Sequence, residues 1–230
     1  MKAMIFDAGP IISLTTNNLL WLLKPLKEKF GGEFYITEGI RKELVETPLR
    51  TKKFKFEALQ VQDQIEKGVL KVIKDPKVTQ KAKQLLDIAN NIFYIHKRPL
   101  RAVQLGELET LAAAKVMKIP YIVVDERITR LLLESPGQME QLLEKRMHAD
   151  VHVRRDKLAK LHKEVEGVKL IRSLELATIA YEQGLLDNYI AKIPEARKQL
   201  LQGVLWGIKL NGCSAGQTEI DEIVRIELKK

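Results

Sequence analysis

The chain has 230 residues, 45% of them hydrophobic, and 39 Lys and Arg against 30 Asp and Glu, for a formal charge of +9 and a pI near 9.5. That length supports one sizeable core without disulfides, and the single cysteine, Cys213, excludes an internal bridge. No apolar run approaches the roughly 20 residues that cross a bilayer and no secretory leader is evident, so the reading is a cytoplasmic protein with no membrane contact.

In chain order, residues 1–6 read as a buried strand closed by Asp7 and followed by Gly9 and Pro10. Residues 10–26 carry apolar side chains at helical spacing, with breaks expected at Thr15-Thr16 and at Pro25. Gly31-Gly32 punctuates, residues 33–36 form a second strand, and Thr37 caps a helix over 38–46 that stops before Pro48. The basic stretch 50–56 reads as a loop or an edge strand, 58–66 as helix, 69–73 as strand and 78–94 as helix. Gly106 precedes a helix over 107–118, Pro120 breaks it, and 121–124 is a strong strand ending in Asp125-Glu126-Arg127, with a helix over 128–134. Beyond Ser135-Pro136-Gly137 the pattern changes. Residues 138–166 are charged and resemble a helical insertion more than a core layer. A short strand at 168–171, helices at 174–183 and 193–210, and a tail from 214 to 230 that ends as an amphipathic helix complete the chain. Strands alternating with helices over the first part argue for a parallel sheet with helical crossovers.

Asp7 is the leading site candidate. A carboxylate at the carboxyl end of a first strand, facing a Gly-containing turn, lies where open α/β sheets place their ligands. Further acids recur at Glu43, at Glu107 and Glu109, and at Asp125 and Glu126. Acids gathered in a basic protein suggest a metal held beside nucleic acid, because excess positive charge attracts phosphate; the Lys and Glu enrichment of a thermophile gives the same composition. Each acid also has a plainer role, as a turn or helix cap for Asp7, a solvated helix residue for Glu43, and a partner of a helix dipole for Glu107, Glu109 and Asp125-Glu126.

Four stretches, IFDAGPII (5–12), ITEGIRKEL (36–44), GELE (106–109) leading into alanines, and IVVDER (122–127), resemble in order and context the successive acidic motifs of the PIN-domain nuclease superfamily. The resemblance covers residues 1–135, and IRSLEL (171–176) with Ala180 and Gly184 is similar to the closing segment of a prokaryotic branch. It implies a PIN-like three-layer α/β/α fold with a central, mainly parallel sheet, in which residues 1–135 form the nuclease core and 136–230 a helical insertion and C-terminal extension packed on it. It also implies a metal-dependent endoribonuclease that hydrolyses phosphodiester bonds in RNA and leaves 5′-phosphate and 3′-hydroxyl ends.

On that resemblance Asp7, Glu43, Glu107 or Glu109, and Asp125 are catalytic and, with Glu126, bind Mg²⁺ or Mn²⁺, hard cations that take oxygen ligands. Glu107 and Glu109 compete for the third position, since two residues on a helix are about 200° apart; Asp125 and Glu126 compete for the fourth. Ala8 stands where family members often carry a hydroxyl, and Glu where Asp is usual at the later sites. A degenerate site would leave a non-catalytic RNA-binding or assembly module, and a third reading is a toxin paired with an antitoxin-like protein; a homodimer is also open.

Lys97, Arg98 and Arg101, preceded by His96, and Arg127 are candidate phosphate contacts. Arg50, Lys52, Lys53 and Lys55, interleaved with Phe54 and Phe56, have the pattern that tracks a nucleic-acid backbone and stacks bases, or of a protected edge strand. His148 and His152 share a face if helical, with His162 nearby, but lack a zinc-site pattern. Cys213 reads as structural or incidental, and Gly203 and Gly207 as weak points or a contact with the core.

Overall fold

The computed structural model describes residues 2–229; Met1 and Lys230, the outermost residues of the first expected strand and of the tail helix, lie outside them. The central sheet is built from β1 (Ala3–Phe6), β2 (Glu33–Thr37), β3 (Leu70–Ile73), β6 (Tyr121–Val123) and β8 (Lys169–Ile171), in the order β3-β2-β1-β6-β8 with every neighbour parallel. β1 lies at the centre, so all its residues are buried, as expected of a strand covered on both faces. Its alternation still matters. Met4 and Phe6 face one cluster, with Phe34, Ile36 and Val123, while Ala3 and Ile5 face the other, with Ile122 and Val124.

The first cluster is covered by α1 (Ala8–Thr16), α2 (Leu23–Phe30), α5 (Lys55–Glu66), α11 (Ser173–Glu182), α12 (Ala196–Leu210) and α13 (Gln217–Glu227). The second is covered by α6 (Pro76–Ala89), α7 (Leu105–Met117), α8 (Arg127–Glu134), α9 (Pro136–Met147) and α10 (Arg155–Glu164). The arrangement is three layers, helices on both faces of a parallel sheet, as expected. No helix of the described residues is long and apolar enough to cross a membrane.

Several local expectations are corrected. The helix over 78–94 stops at Ala89, and β4 (Phe93–Ile95) turns back into β5 (Arg98–Pro99) and also pairs with β7 (His152–Val153). The turn between β4 and β5 is His96-Lys97, both at positive φ (47° and 64°), the two-residue hairpin turn whose twist matches the strands. Three residues rich in aromatic and β-branched side chains took the strand that a distant partner offered. The helix over 38–46 does not stop before Pro48. α3 (Glu38–Arg41) passes through a π turn, Lys42–Glu46, into α4 (Thr47–Leu49), with the Thr47 N–H bonding Lys42 O. Pro48 has no N–H to give, and the wider turn absorbs the missing bond.

Residues 50–54 form a turn followed by bends rather than an edge strand, and Pro25 sits in the first turn of α2, where proline is tolerated. Residues 138–166 are largely helical, yet Met139, Leu143, Val151 and Leu161 are buried in the second cluster, so this segment is also part of a core layer. His148 ends α9 in a left-handed conformation and His152 lies in β7, so the two do not share a helical face. The helix expected over 193–210 begins at Ala196, and Gly207 meets Asn17, whose Oδ1 would lie 2.3 Å from an added Cβ.

Candidate active site

Ligands of an open parallel sheet bind beyond the carboxyl ends of its strands, where the chain's progress across the sheet reverses. Here β2 and β3 lie to one side of β1, and β6 and β8 to the other. Four strand ends deliver polar side chains to that edge: Asp7 after β1, Thr37 closing β2, Asp125 beyond β6 and Ser173 beyond β8. The Asp7 N–H donates to Val123 O at 2.9 Å, which ties the two central strand ends together.

A cleft of about 370 Å³ opens there, lined by Asp7, Glu43, Glu107, Asp125 and Glu126, with Asn211 and Gly212 from the end of α12. Asp7, half-buried, has a carboxyl pushed up to about 7 from the ordinary 3.8, chiefly by burial; the Ala8 amide opposes this, the Glu43 carboxylate reinforces it, and the Thr110 hydroxyl and Gly9 amide pull it back. Thr110 Oγ1 donates to Asp7 Oδ1 at 3.4 Å. Glu43 sits on the π turn and is also raised by desolvation. So is Glu107, where the Gln104 N–H at 3.2 Å works the other way and Glu126 adds to the rise. Three carboxyls around one cleft are each harder to ionise than in water, a cost that a bound cation relieves.

The rivals at the third position separate as their helical angle requires. Glu107, in the first turn of α7, lines the cleft. Glu109 turns toward β2, accepts from Thr37 Oγ1 at 2.9 Å and lies against Gly39, where a Cβ would meet its Oε2 at 2.1 Å. The absence of a side chain at Gly39 is what admits it. At the fourth position Glu126 caps α8, accepting from the Thr129 N–H at 2.6 Å, while keeping a place on the cleft wall.

Asp125 is the most engaged of the acids and is almost wholly buried, with 1% of its surface exposed. Its Oδ2 accepts from Ser13 Oγ at 2.9 Å and Ser173 Oγ at 2.6 Å, and its Oδ1 from the Ser173 N–H at 2.8 Å. Cys213 packs beside it, and burial together with the Asp125 charge pushes that thiol up to about 12, so it stays neutral. The neighbouring Ser214 N–H donates to Asp125 O at 3.1 Å, and Ser214 O accepts from Arg130 and Arg172. Arg172 is paired with Glu175 and with Glu219 of α13; burial opposes its charge, but the two carboxylates together outweigh it and raise its pKa. Asp125 thereby fastens α1, α11 and the segment before α13 to the end of β6.

Arg127 is exposed at the start of α8, and Lys97, Arg98 and Arg101 are exposed on and after the β4–β5 hairpin; none of the four lines the cleft. His162 sets a ring nitrogen 3.1 Å from Leu132 O and stands apart from the acids. Sequence reading missed Ser13, Thr110 and Asn211. Ser13 and Thr110 are ordinary polar residues on helices, whose importance comes only from the acid that each meets across the sheet edge.

Among the described residues, no group of three or more His, Cys, Asp or Glu is gathered closely enough to hold a metal ion. A hard dication such as Mg²⁺ asks for less, because it is usually held by one or two carboxylates, water and substrate phosphate. The cleft's acidic donors are all oxygens, and Asp7 and Glu43 are neighbours whose ionisation is suppressed until positive charge arrives. That donor set fits such an ion.

The DUF3368 family model, described as a PIN domain, matches residues 3–140. No curated protein and no solved structure matches the chain. The matched stretch contains every carboxylate that lines the cleft, whereas Ser173, Cys213 and the Arg172 cluster fall beyond it. With the match covering more than half of its length, this chain belongs to the PIN-domain family, a superfamily of nucleases.

Proposed function

We propose that the protein is a metal-dependent endoribonuclease that hydrolyses RNA phosphodiester bonds, with Mg²⁺ or Mn²⁺ held by Asp7 and Glu43. The observation that carries this reading is the Asp7 carboxyl, pushed up to about 7 beside Glu43 at the switch point of the sheet. Burying an acid next to another acid costs stability, and sites tuned for ion binding or proton transfer are where that cost is usually found.

When bound, a divalent ion supplies neutralisation of the phosphate charge and activation of the attacking water. The chain's own groups do the rest. Thr110 orients Asp7 by donating to its Oδ1. Glu107, whose carboxyl burial raises above its ordinary range, lines the cleft beside Glu126 and is the group that accepts a proton from water once the phosphate is in place. Asp125 acts as a positioning residue, because the two serines and the Ser173 amide occupy its oxygens and fix the walls of the cleft. On this reading the products carry 5′-phosphate and 3′-hydroxyl ends.

The test is an RNA cleavage assay on single-stranded and structured substrates with Mn²⁺ or Mg²⁺, with Asp7→Asn as control. Cleavage should require the ion and be lost in the variant; cleavage that survives Asp7→Asn refutes the assignment. A second reading, a non-catalytic RNA-binding module, is favoured by one observation: among the described residues, no three of the acids are gathered closely enough to hold a metal ion. RNA binding without cleavage in any divalent ion would decide for it.

A further inference from the structure

Beside the acidic cleft, a second hollow shares Ile12 and Glu43 with it and continues along α1 and α5, lined by Leu44, Pro48, Phe54 and Val61. A third hollow follows through the shared Thr15 and is bordered by Trp21, Phe56 and Leu59. The three hollows therefore adjoin one another in a row leading away from Asp7, with three aromatic side chains along them. Phe56 is 69% exposed and Phe54 47%, unusual for phenylalanines that the core could have taken.

The loop that ends at Phe54 and leads into Phe56, in the first turn of α5, is built rather than slack. Thr51 Oγ1 donates to Pro48 O and Lys53 O at 3.0 and 2.9 Å, and the Ala58 N–H donates to Phe54 O at 3.0 Å. Phe54 itself sits at φ 63°, a left-handed conformation that costs a bulky residue energy and that glycine would adopt freely. The chain keeps an aromatic ring at a strained position where it faces water and the groove. Around it Arg50, Lys52, Lys53 and Lys55 are all exposed, and none is in an ion pair among the described residues; Lys53 Nζ lies over the Phe54 ring, 4.8 Å from its centroid.

We propose that this groove is a track for single-stranded RNA, in which unpaired bases stack on Phe54 and Phe56 toward Trp21 while the phosphates follow Arg50, Lys52, Lys53 and Lys55. The charge distribution sets that polarity. Glu43 and Glu57 line the groove and repel phosphate, so the backbone must run along the cationic rim with its bases turned inward. Stacking asks only for an exposed π face, so the track reads strandedness rather than sequence. A protein helix would also find an apolar groove here, but four unpaired cations around exposed aromatic rings match a polyanion with flat bases better. The proposal rests on the ribonuclease reading for the bond that is cut at the groove's end.

The experiment measures anisotropy of a labelled oligouridylate and of the same length of RNA duplex, in chelator and on the Asp7→Asn background, so that binding is read without cleavage. The single strand should bind more tightly than the duplex. Phe56→Ala should weaken it roughly 5- to 100-fold, and Phe54→Gly should do likewise while relieving the backbone, so a loss there is not a loss of folding. Phe56→Trp should restore binding. Lys52→Gln with Lys53→Gln should flatten the salt dependence by about 0.7 in slope for each phosphate contact removed. A DNA strand of matching sequence tells whether the ribose is read. The proposal is overturned if the duplex binds equally well, if the aromatic variants keep full affinity, or if Phe56→Ala instead breaks a dimer seen by sedimentation while RNA affinity stays the same. Loss of cleavage with these results intact would refute the nuclease reading alone; cleavage without aromatic dependence would refute the track alone.

Discussion

Replacing Asp7 by Asn should make the metal-free protein more stable at alkaline pH. The folded carboxyl holds its proton up to about 7, whereas the unfolded one releases it near the ordinary 3.8. Between those values the unfolded chain binds fewer protons, so wild-type stability falls as pH rises through the window and the full penalty is present above about 7. A difference of about 3 units at 1.36 kcal/mol each sets a ceiling of about 4 kcal/mol, and water entering the cleft will lower it, leaving roughly 2 kcal/mol as the working figure. Asn keeps the shape and carries no charge. Urea unfolding in chelator at pH 4 and pH 8 reads the effect: the stability of the variant relative to wild type should climb by that amount between the two. Saturating Mn²⁺ should reverse the order at pH 8, since an ion at 100 times its dissociation constant adds about 2.7 kcal/mol to the form that binds it and the variant lacks the ligand. A relative stability that stays flat with pH, or falls, refutes the burial argument, and an equal Mn²⁺ shift in both proteins refutes Asp7 as a ligand.

Other consequences are simpler to read. Arg172→Ala leaves Glu175 and Glu219 without the cation that joins them; it should cost about 2 kcal/mol, discounted because both acids are partly exposed and Arg130 still acts on Glu219, and should speed hydrogen exchange in α13. Gly207→Ala should destabilise by about 1–2 kcal/mol because its Cβ would strike Asn17, whereas Gly203→Ala, with open space around it, should stabilise by about 0.5–1 kcal/mol, both by thermal unfolding. The Cys213 thiol, buried and raised to about 12, should resist alkylation at pH 8 in the native protein and react only on unfolding.

The five strands of the main sheet were legible because each is a short apolar run bounded by Gly, Pro or acid. β4, β5 and β7 were not, since two or three residues become strands only through partners far away in sequence, and β7 lies inside a charged stretch dominated by helix. The π turn at Lys42–Glu46 followed from Pro48, which was read as a stop when its helix instead widened around it. At the site, the strand-end placement of Asp7 and Asp125 could be read from pattern alone. What separates them could not: one keeps an edge on the cleft with few partners, the other is enclosed by serines from two other helices. Glu107 and Glu109 were told apart by which helical face meets Gly39, a contact with no trace in local sequence.

The clasp around Asp125 also bears on how the molecule is made. Ser173, Cys213 and Ser214 leave the ribosome well after the strand they fasten, so a nascent chain that has just released Asp125 has the Ser13 hydroxyl for that carboxylate but not yet the Ser173 hydroxyl and amide. Such a chain must leave that corner open to water until synthesis has passed residue 214. The wall of the cleft at the end of β6 is therefore completed late, by residues that follow the whole stretch carrying its carboxylates.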